Sequence, residues 1–331
     1  MSRSILCRIA ALCLFCSASA FSQDTSTTTS DTTVDSQSSD VVLEEGDAEK
    51  LRMSLDKVTE KLTNQRYLLQ YDFHQGESVY YEVVHQSSVG TRVQGISEEV
   101  KSRSKSLKRW DFLNIQADSV AKFMHTIEQV DMWSETTGRD PIHYDSLSDA
   151  EVPAEYRAIA ESIGKPISVV TANRFGKIIK REDKVRQIDR GTGGLLIPLP
   201  PKPILVKTEW AVPASVVVAL SDGRHKDIKT RQRYRLEKVE TGIATISLET
   251  QVLTPIADAR VKSQLVQKLS KGTIKFDIDA GRMISKELNW DETVIGFNGP
   301  ESNMSFLARM TERIVSQKEV TASRNPLRNT K

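Results

Sequence analysis

KSRSKSLKRWDFLNIQADSVAKFMHTIEQVDMW, residues 101–133, decides how the rest of the chain is read. Lys101, Arg103 and Lys105 alternate with Ser102, Ser104 and Ser106, and Trp110 and Phe112 follow in the same run. Side chains of a strand point alternately to its two faces, so this spacing predicts a long strand from Lys101 to Gln116. Ala117-Asp118 makes a tight connection, and Ser119 to Trp133 returns as the antiparallel partner. Two strands of this length cannot stand alone. They need further strands beside them and an apolar cover on one face.

Working outward, the same pattern recurs. Tyr67 to Phe73 and Val79 to His85, flanking His74-Gln75-Gly76-Glu77, read as a hairpin. Ile167 to Thr171 and Lys177 to Lys180 flank Asn173-Arg174-Phe175-Gly176 as another. Further strands are expected at Ile228 to Val239, Ile243 to Val252, Thr273 to Ile278 and Met283 to Leu288. Helical spacing predicts an amphipathic helix capped by Asp47 and carrying Leu51, Leu55, Val58 and Leu62. A second is expected from Pro153 through Tyr156, Ile159, Ala160 and Ile163, ended by Gly164 and Pro166. A third opens at Pro255 and runs through Leu265 and Leu269 to Gly272, and a last one carries Met304, Leu307, Met310 and Ile314. Gly191 to Pro203, around Leu195, Leu196 and Ile197, reads as a crossover.

The chain also echoes itself. Arg109-Trp110, then Val120-Ala121, is matched by Arg233-Tyr234, then Ile243-Ala244; Ile142-His143-Tyr144-Asp145 is matched by Ile274-Lys275-Phe276-Asp277. The expected fold is α+β: a curved, largely antiparallel sheet forming a duplicated half-barrel, with helices covering or plugging its concave face. Its domain is expected over residues 47–317, with related halves at about 64–190 and 204–317.

The first twenty residues bear on compartment. Arg3 and Arg8 precede the apolar run Ile9 to Phe15, too short to span a bilayer, and Ala18-Ser19-Ala20 before Phe21 reads as a signal cleavage site, so no transmembrane span is expected in the mature chain. Leu14 and Phe15 stand before Cys16 where a lipid-anchored protein carries a small residue, which favours a soluble exported product. Cys7, Cys13 and Cys16 all leave with this segment, excluding internal disulfides and thiolate metal sites. Cleavage removes two arginines and no acid, so 46 basic residues become 44 against 44 acidic ones. A charge of zero gives no field to attract nucleic acid or an anionic membrane. Residues 21–46, rich in Ser, Thr and Asp, read as a disordered linker, and 318–331 as a loose tail.

Tyr144-Asp145-Ser146, Trp210 and Phe276-Asp277-Ile278-Asp279-Ala280-Gly281 together resemble a family of secreted bacterial proteins of unknown function, common in planctomycetes, with a Tyr-Asp-Ser signature and a Phe-Asp-x-x-x-Gly turn. More loosely, the element order resembles the half-barrels of lipoprotein carriers, which implies a curved sheet wrapped around an apolar cavity.

No catalytic residue, metal site or cofactor is expected. His74, His85, His125, His143 and His225 show no metal-ligand spacing, no G-x-S-x-G elbow is present, and Cys-His catalysis leaves with the cysteines. Asp277-x-Asp279-x-Gly281 falls short of a calcium loop and fits a hairpin turn. Gly191-x-Gly193-Gly194 lacks the lysine and helix of a phosphate cradle. Lys101, Arg103 and Lys105 are read as charges guarding an edge strand. Trp110, Phe112, Phe123, Trp133, Trp210 and Trp290 are the candidate lining of a concave apolar face. The expected function is an exported, non-enzymatic protein binding a lipid, lipoprotein or other hydrophobic partner. The alternatives are an envelope interaction module binding another protein without a small ligand, and a hydrolase built from distant residues.

Overall fold

The computed structural model describes residues 64–148, 150–184, 194–220 and 222–324. The signal segment, the linker and the helix expected from Asp47 lie outside these residues. Along the chain the strands are β1 Arg66–Tyr67, β2 Ser78–Val93, β3 Ile96–Gln116, β4 Val120–Thr136, β5 Ile142–Asp145, β6 Pro166–Ala172, β7 Ile178–Asp183, β8 Ile204–Leu205, β9 Glu209–Ala219, β10 His225–Glu240, β11 Ile243–Val252, β12 Lys271–Asp277, β13 Arg282–Ile295 and β14 Asn303–Val315. Helices α1 Arg157–Ala160, α2 Ala259–Leu265 and α3 Gln317–Arg324 are short.

One large antiparallel sheet, curved and unclosed, holds all but β1 and β8, in the order β7-β6-β4-β3-β2-β14-β13-β12-β11-β10-β9 with β5 beside β4. It consists of two meanders. They join where β14 pairs with β2, from Asn303↔Arg92 to Val315↔Tyr80. The helix expected over Met304–Ile314 is therefore a central strand. Met304, Leu307 and Met310 do fall at helical spacing, but Met304, Phe306, Ala308 and Met310 also alternate, and in a sheet that alternation buries four side chains on one face. Leu307, on the other face, is 52% exposed.

The β3–β4 pair forms as its alternation predicts, with β3 carrying Ser102 inward and Lys101, Arg103 and Lys105 outward. Yet β3 lies inside the sheet between β2 and β4, so its lysines and arginine occupy a solvated face, not an edge. Lys105 Nζ lies 2.8 Å from Glu82 on β2, and Arg313 Nε on β14 lies 3.1 Å from the same carboxylate. Such cross-strand pairs of opposite charge suit a solvent-facing surface.

The hairpin expected at Tyr67–His85 does not form. Only Arg66–Tyr67 is a strand, pairing with Ile204–Leu205, and β2 pairs with β3 and β14. Residues 68–76 instead cross the inner face of the sheet. The alternation of Leu69, Tyr71 and Phe73 has the same appearance in either arrangement, because a segment lying in an apolar trough also buries every second residue.

Helices cover the flanks. Asp258 caps α2, its carboxylate accepting from Arg260 N at 2.8 Å, and Val261 and Leu265 pack on Val218 and Ile228. Before α1, Tyr156 packs on Val130, Met132 and Tyr144, its hydroxyl 2.9 Å from Ser134 Oγ. α3 begins the segment expected to be loose, and its Val320 packs against Leu107, Val315 and Tyr80 on the outer face. The centre of the inner face is covered by irregular chain.

Candidate functional site: the concave face

Inward side chains from both meanders form one apolar cluster with Leu69, Tyr71 and Phe73 of one crossing segment and Leu195, Leu196, Ile197 and Leu199 of another. Tyr71 meets Phe276 edge-on with ring centroids 5.2 Å apart, and Phe73 lies 5.1 Å from Phe112. The cover therefore touches both wings of the sheet. Two hairpin turns hold it by backbone hydrogen bonds. Tyr71 N donates to Arg174 O at 2.7 Å and Leu199 N to Phe175 O at 2.8 Å, at the β6–β7 turn; Asp72 N donates to Gly281 O at 2.9 Å, at the β12–β13 turn. Ile197 N donates to the Tyr71 hydroxyl at 2.8 Å, tying the two cover segments together.

Glycine is required at both anchors. Gly176 has φ +74 and a Cβ there would strike the Ile197 carbonyl; Gly281 has φ +57 and a Cβ would strike the backbone of Asp72. The Phe-Asp-x-x-x-Gly stretch is thus an anchor for the cover. Its Asp277 carboxylate accepts from Ala280 N at 2.8 Å and closes the turn. Tyr144-Asp145-Ser146 has a similarly local role: Ser146 bonds β4 twice at Val130, through its N–H and through its hydroxyl oxygen, each at 2.9 Å.

Of the six aromatic candidates, Trp110, Phe112, Phe123 and Trp290 are buried on the inner face. Trp210 is half-buried at its margin, stacked on Tyr234 at 5.6 Å, with Nε1 donating to Pro198 O of the cover. Trp133 does not join them. Between Ile127 and Gln129 the pairing of β4 with β3 skips Glu128, a β-bulge that reverses the faces. Phe123 and His125 face inward before it; Val130, Met132 and Ser134 do so after it, leaving Trp133 outward beside His143 and Arg103.

Charged groups that the sequence reading missed lie on the same inner face. Glu312 on β14 is 1% exposed and sits between Lys286 Nζ at 2.8 Å and Lys108 Nζ at 3.1 Å. Lys286 Nζ also donates to Gly194 O of the cover at 3.4 Å. Burial pushes the Glu312 carboxyl up, but the two ammonium groups outweigh it and hold it at about 2. Burial pulls Lys286 below the usual lysine range, with Glu312 opposing. Each of the three stands in the apolar phase of its strand, Glu312 after Met310, Lys286 before Leu288 and Lys108 before Trp110. That phase was the signal available in the sequence.

Beside Lys108, Trp110 pairs with His125 and His125 with Ser168 across three strands. All three are buried, and among the described residues Trp110 Nε1, both ring nitrogens of His125 and Ser168 Oγ find no hydrogen-bond partner. Desolvation, with Lys108 and Arg181 nearby, lowers His125 to about 3. Away from this floor, a polar pocket of about 290 Å³ at the β4–β5 turn is lined by Glu99, Lys101 and residues 135–140, with none of the aromatic candidates.

No family model and no curated protein matches the chain. Among solved structures, a lipovitellin structure on lipid–protein interactions is similar over 74% of this chain at 12% identity and a TM-score of 0.44; the chain spans about a quarter of that protein, 26%. DynF of the dynemicin biosynthesis pathway of Micromonospora chersina is similar over 77% of this chain and 92% of its own, at 5% identity and a TM-score of 0.21. An outer membrane channel of Pseudomonas putida F1 covers 74% of this chain and 97% of its own, at 8% identity and a TM-score of 0.22. These likenesses are too remote to carry any functional conclusion.

Proposed function

We propose that this chain is an exported, non-enzymatic binding protein whose concave face receives a lipid or another hydrophobic partner when its cover lifts. The carrying observation is the way that face is closed. A trough of aromatic and aliphatic side chains shared by two meanders is roofed, at its centre, by irregular segments fixed at a few backbone hydrogen bonds. Ligand sites are concave, mostly apolar and supplied with a few polar groups, and this trough has both kinds of lining. Export rests on residues 1–20, with Phe21 as the first residue of the mature chain.

A second reading, an envelope interaction module with no small ligand, is favoured by one observation: the protein's own Leu69, Tyr71, Phe73 and Leu195–Leu199 already fill the trough. Titration of delipidated protein with cis-parinaric acid separates the two. Saturable fluorescence enhancement near one ligand per chain is the expected result. A flat titration up to the ligand's solubility limit would leave the interaction module as the surviving account.

A further inference from the structure

We infer that the hydrophobic ligand carries an acidic head group, a carboxylate, and that Lys108, with the unpartnered donors beside it, receives that group. The inference rests on the hydrophobic-ligand reading above. Two ammonium groups flank a single carboxylate in the trough, so among the described residues the floor holds one positive charge more than it neutralises. Buried charges are retained where they are paired, and an excess cation in an apolar interior is costly. Lys286 is spent on Glu312 and on the cover's Gly194 carbonyl. Lys108, whose side chain is 19% exposed, pairs among the described residues with Glu312 alone and is the ammonium group with a route to an incoming ligand.

The neighbouring polar atoms point the same way. Nearly all buried polar atoms in native proteins have partners, yet Trp110 Nε1, the His125 ring and Ser168 Oγ, on neighbouring strands, find none among the described residues. An indole N–H and a hydroxyl donate, and a neutral imidazole donates from one nitrogen. Set beside Lys108, they form a row of donors with a cation at one end, which suits a carboxylate accepting charge-assisted hydrogen bonds. Apolar side chains around them, Phe112 and Phe123 among them, would take the acyl chain.

The test compares cis-parinaric acid, its methyl ester and acetate on the wild-type chain and two variants. The acid is expected to bind at least tenfold more tightly than the ester, with acetate displacing neither. Lys108→Gln leaves the Glu312–Lys286 pair intact and is expected to bring acid and ester within about twofold of each other by weakening the acid alone. Ser168→Ala, which removes only one oxygen that has no hydrogen-bond partner among the described residues, is expected to weaken the acid about threefold and leave the ester unchanged. Equal binding of acid and ester by the wild type overturns the head-group assignment while the hydrophobic-ligand reading stands. If neither binds, that reading fails and this inference with it. Displacement of the acid by millimolar acetate would overturn the inference in favour of a site for free carboxylates.

Discussion

Replacing Glu312 by glutamine is expected to cost about 3–5 kcal/mol of stability at neutral pH, read as a fall in the urea midpoint at unchanged slope. The size of the loss follows from what is left behind. Lys286 is almost wholly enclosed, and without the carboxylate its ammonium group keeps, among the described residues, only neutral acceptors, the Gly194 carbonyl at 3.4 Å and the new amide oxygen, with no counter-charge. An ion pair buried this deeply adds little net stability against apolar residues of the same size, but half of it is far worse than none. Pairing Glu312→Leu with Lys286→Met is therefore expected to recover most of the loss, since it removes both partners. A single-variant loss below about 1 kcal/mol would mean that the carboxylate is not the counter-ion of this floor.

The second large effect concerns His125 and acid. Its folded-state value, about 3, lies below its ordinary 6.5 because burial disfavours the imidazolium and Lys108 and Arg181 repel it. The unfolded chain therefore takes up a proton as the pH falls through 6.5, and the folded protein does not until about pH 3. Stability contributed by neutral His125 is complete above pH 6.5 and is lost as the pH falls towards 3, by up to about 1.4 kcal/mol for each pH step. Glu312 has the same sign but acts lower: its contribution is complete above the ordinary carboxylate range and disappears only as the pH approaches 2. Between pH 6.5 and 5, above the carboxylate range, His125 therefore contributes to the slope. His125→Leu is expected to flatten it there. At pH 7 the same variant should cost little or even stabilise, because it removes two buried nitrogens that have no partner among the described residues. Parallel stability curves for wild type and variant over that range would refute this assignment.

Much of the sheet was legible in the sequence because period-two alternation is a local property. Lys101–Gln116 and Ser119–Trp133 could be paired across Ala117-Asp118 from the residues alone, and the turn at Asn173–Gly176 likewise. What escaped depends on neighbours. Met304–Ile314 fits two periods, and only its place between β13 and β2 selects the strand. Trp133 shares the odd-numbered phase of Phe123, and the bulge at Glu128 that separates them exists only as a register against β3. Leu69, Tyr71 and Phe73 alternate like a strand although they lie across one.

The site was half legible for the same reason. Trp110, Phe112, Phe123 and Trp290 announce an apolar face through size and spacing. Lys108 follows the basic run Lys101–Lys105 in the sequence, Glu312 falls inside the segment expected to be a helix, and Lys286 lies within the strand expected over Met283–Leu288. A charge in the apolar phase of a strand is a weak signal one strand at a time. It becomes informative when three strands bring two such ammonium groups within 3.1 Å of one carboxylate.

Amide hydrogen exchange with and without saturating cis-parinaric acid tests the central claim, that ligand reaches the concave face by lifting its cover. The amides of Tyr71, Ile197 and Leu199, which hold the cover down, are expected to exchange faster in the bound protein, while amides in the middle of β3, β2 and β14 keep their protection. Saturable binding with those three amides as protected as in the free protein would show that the ligand sits elsewhere, and would contradict the account.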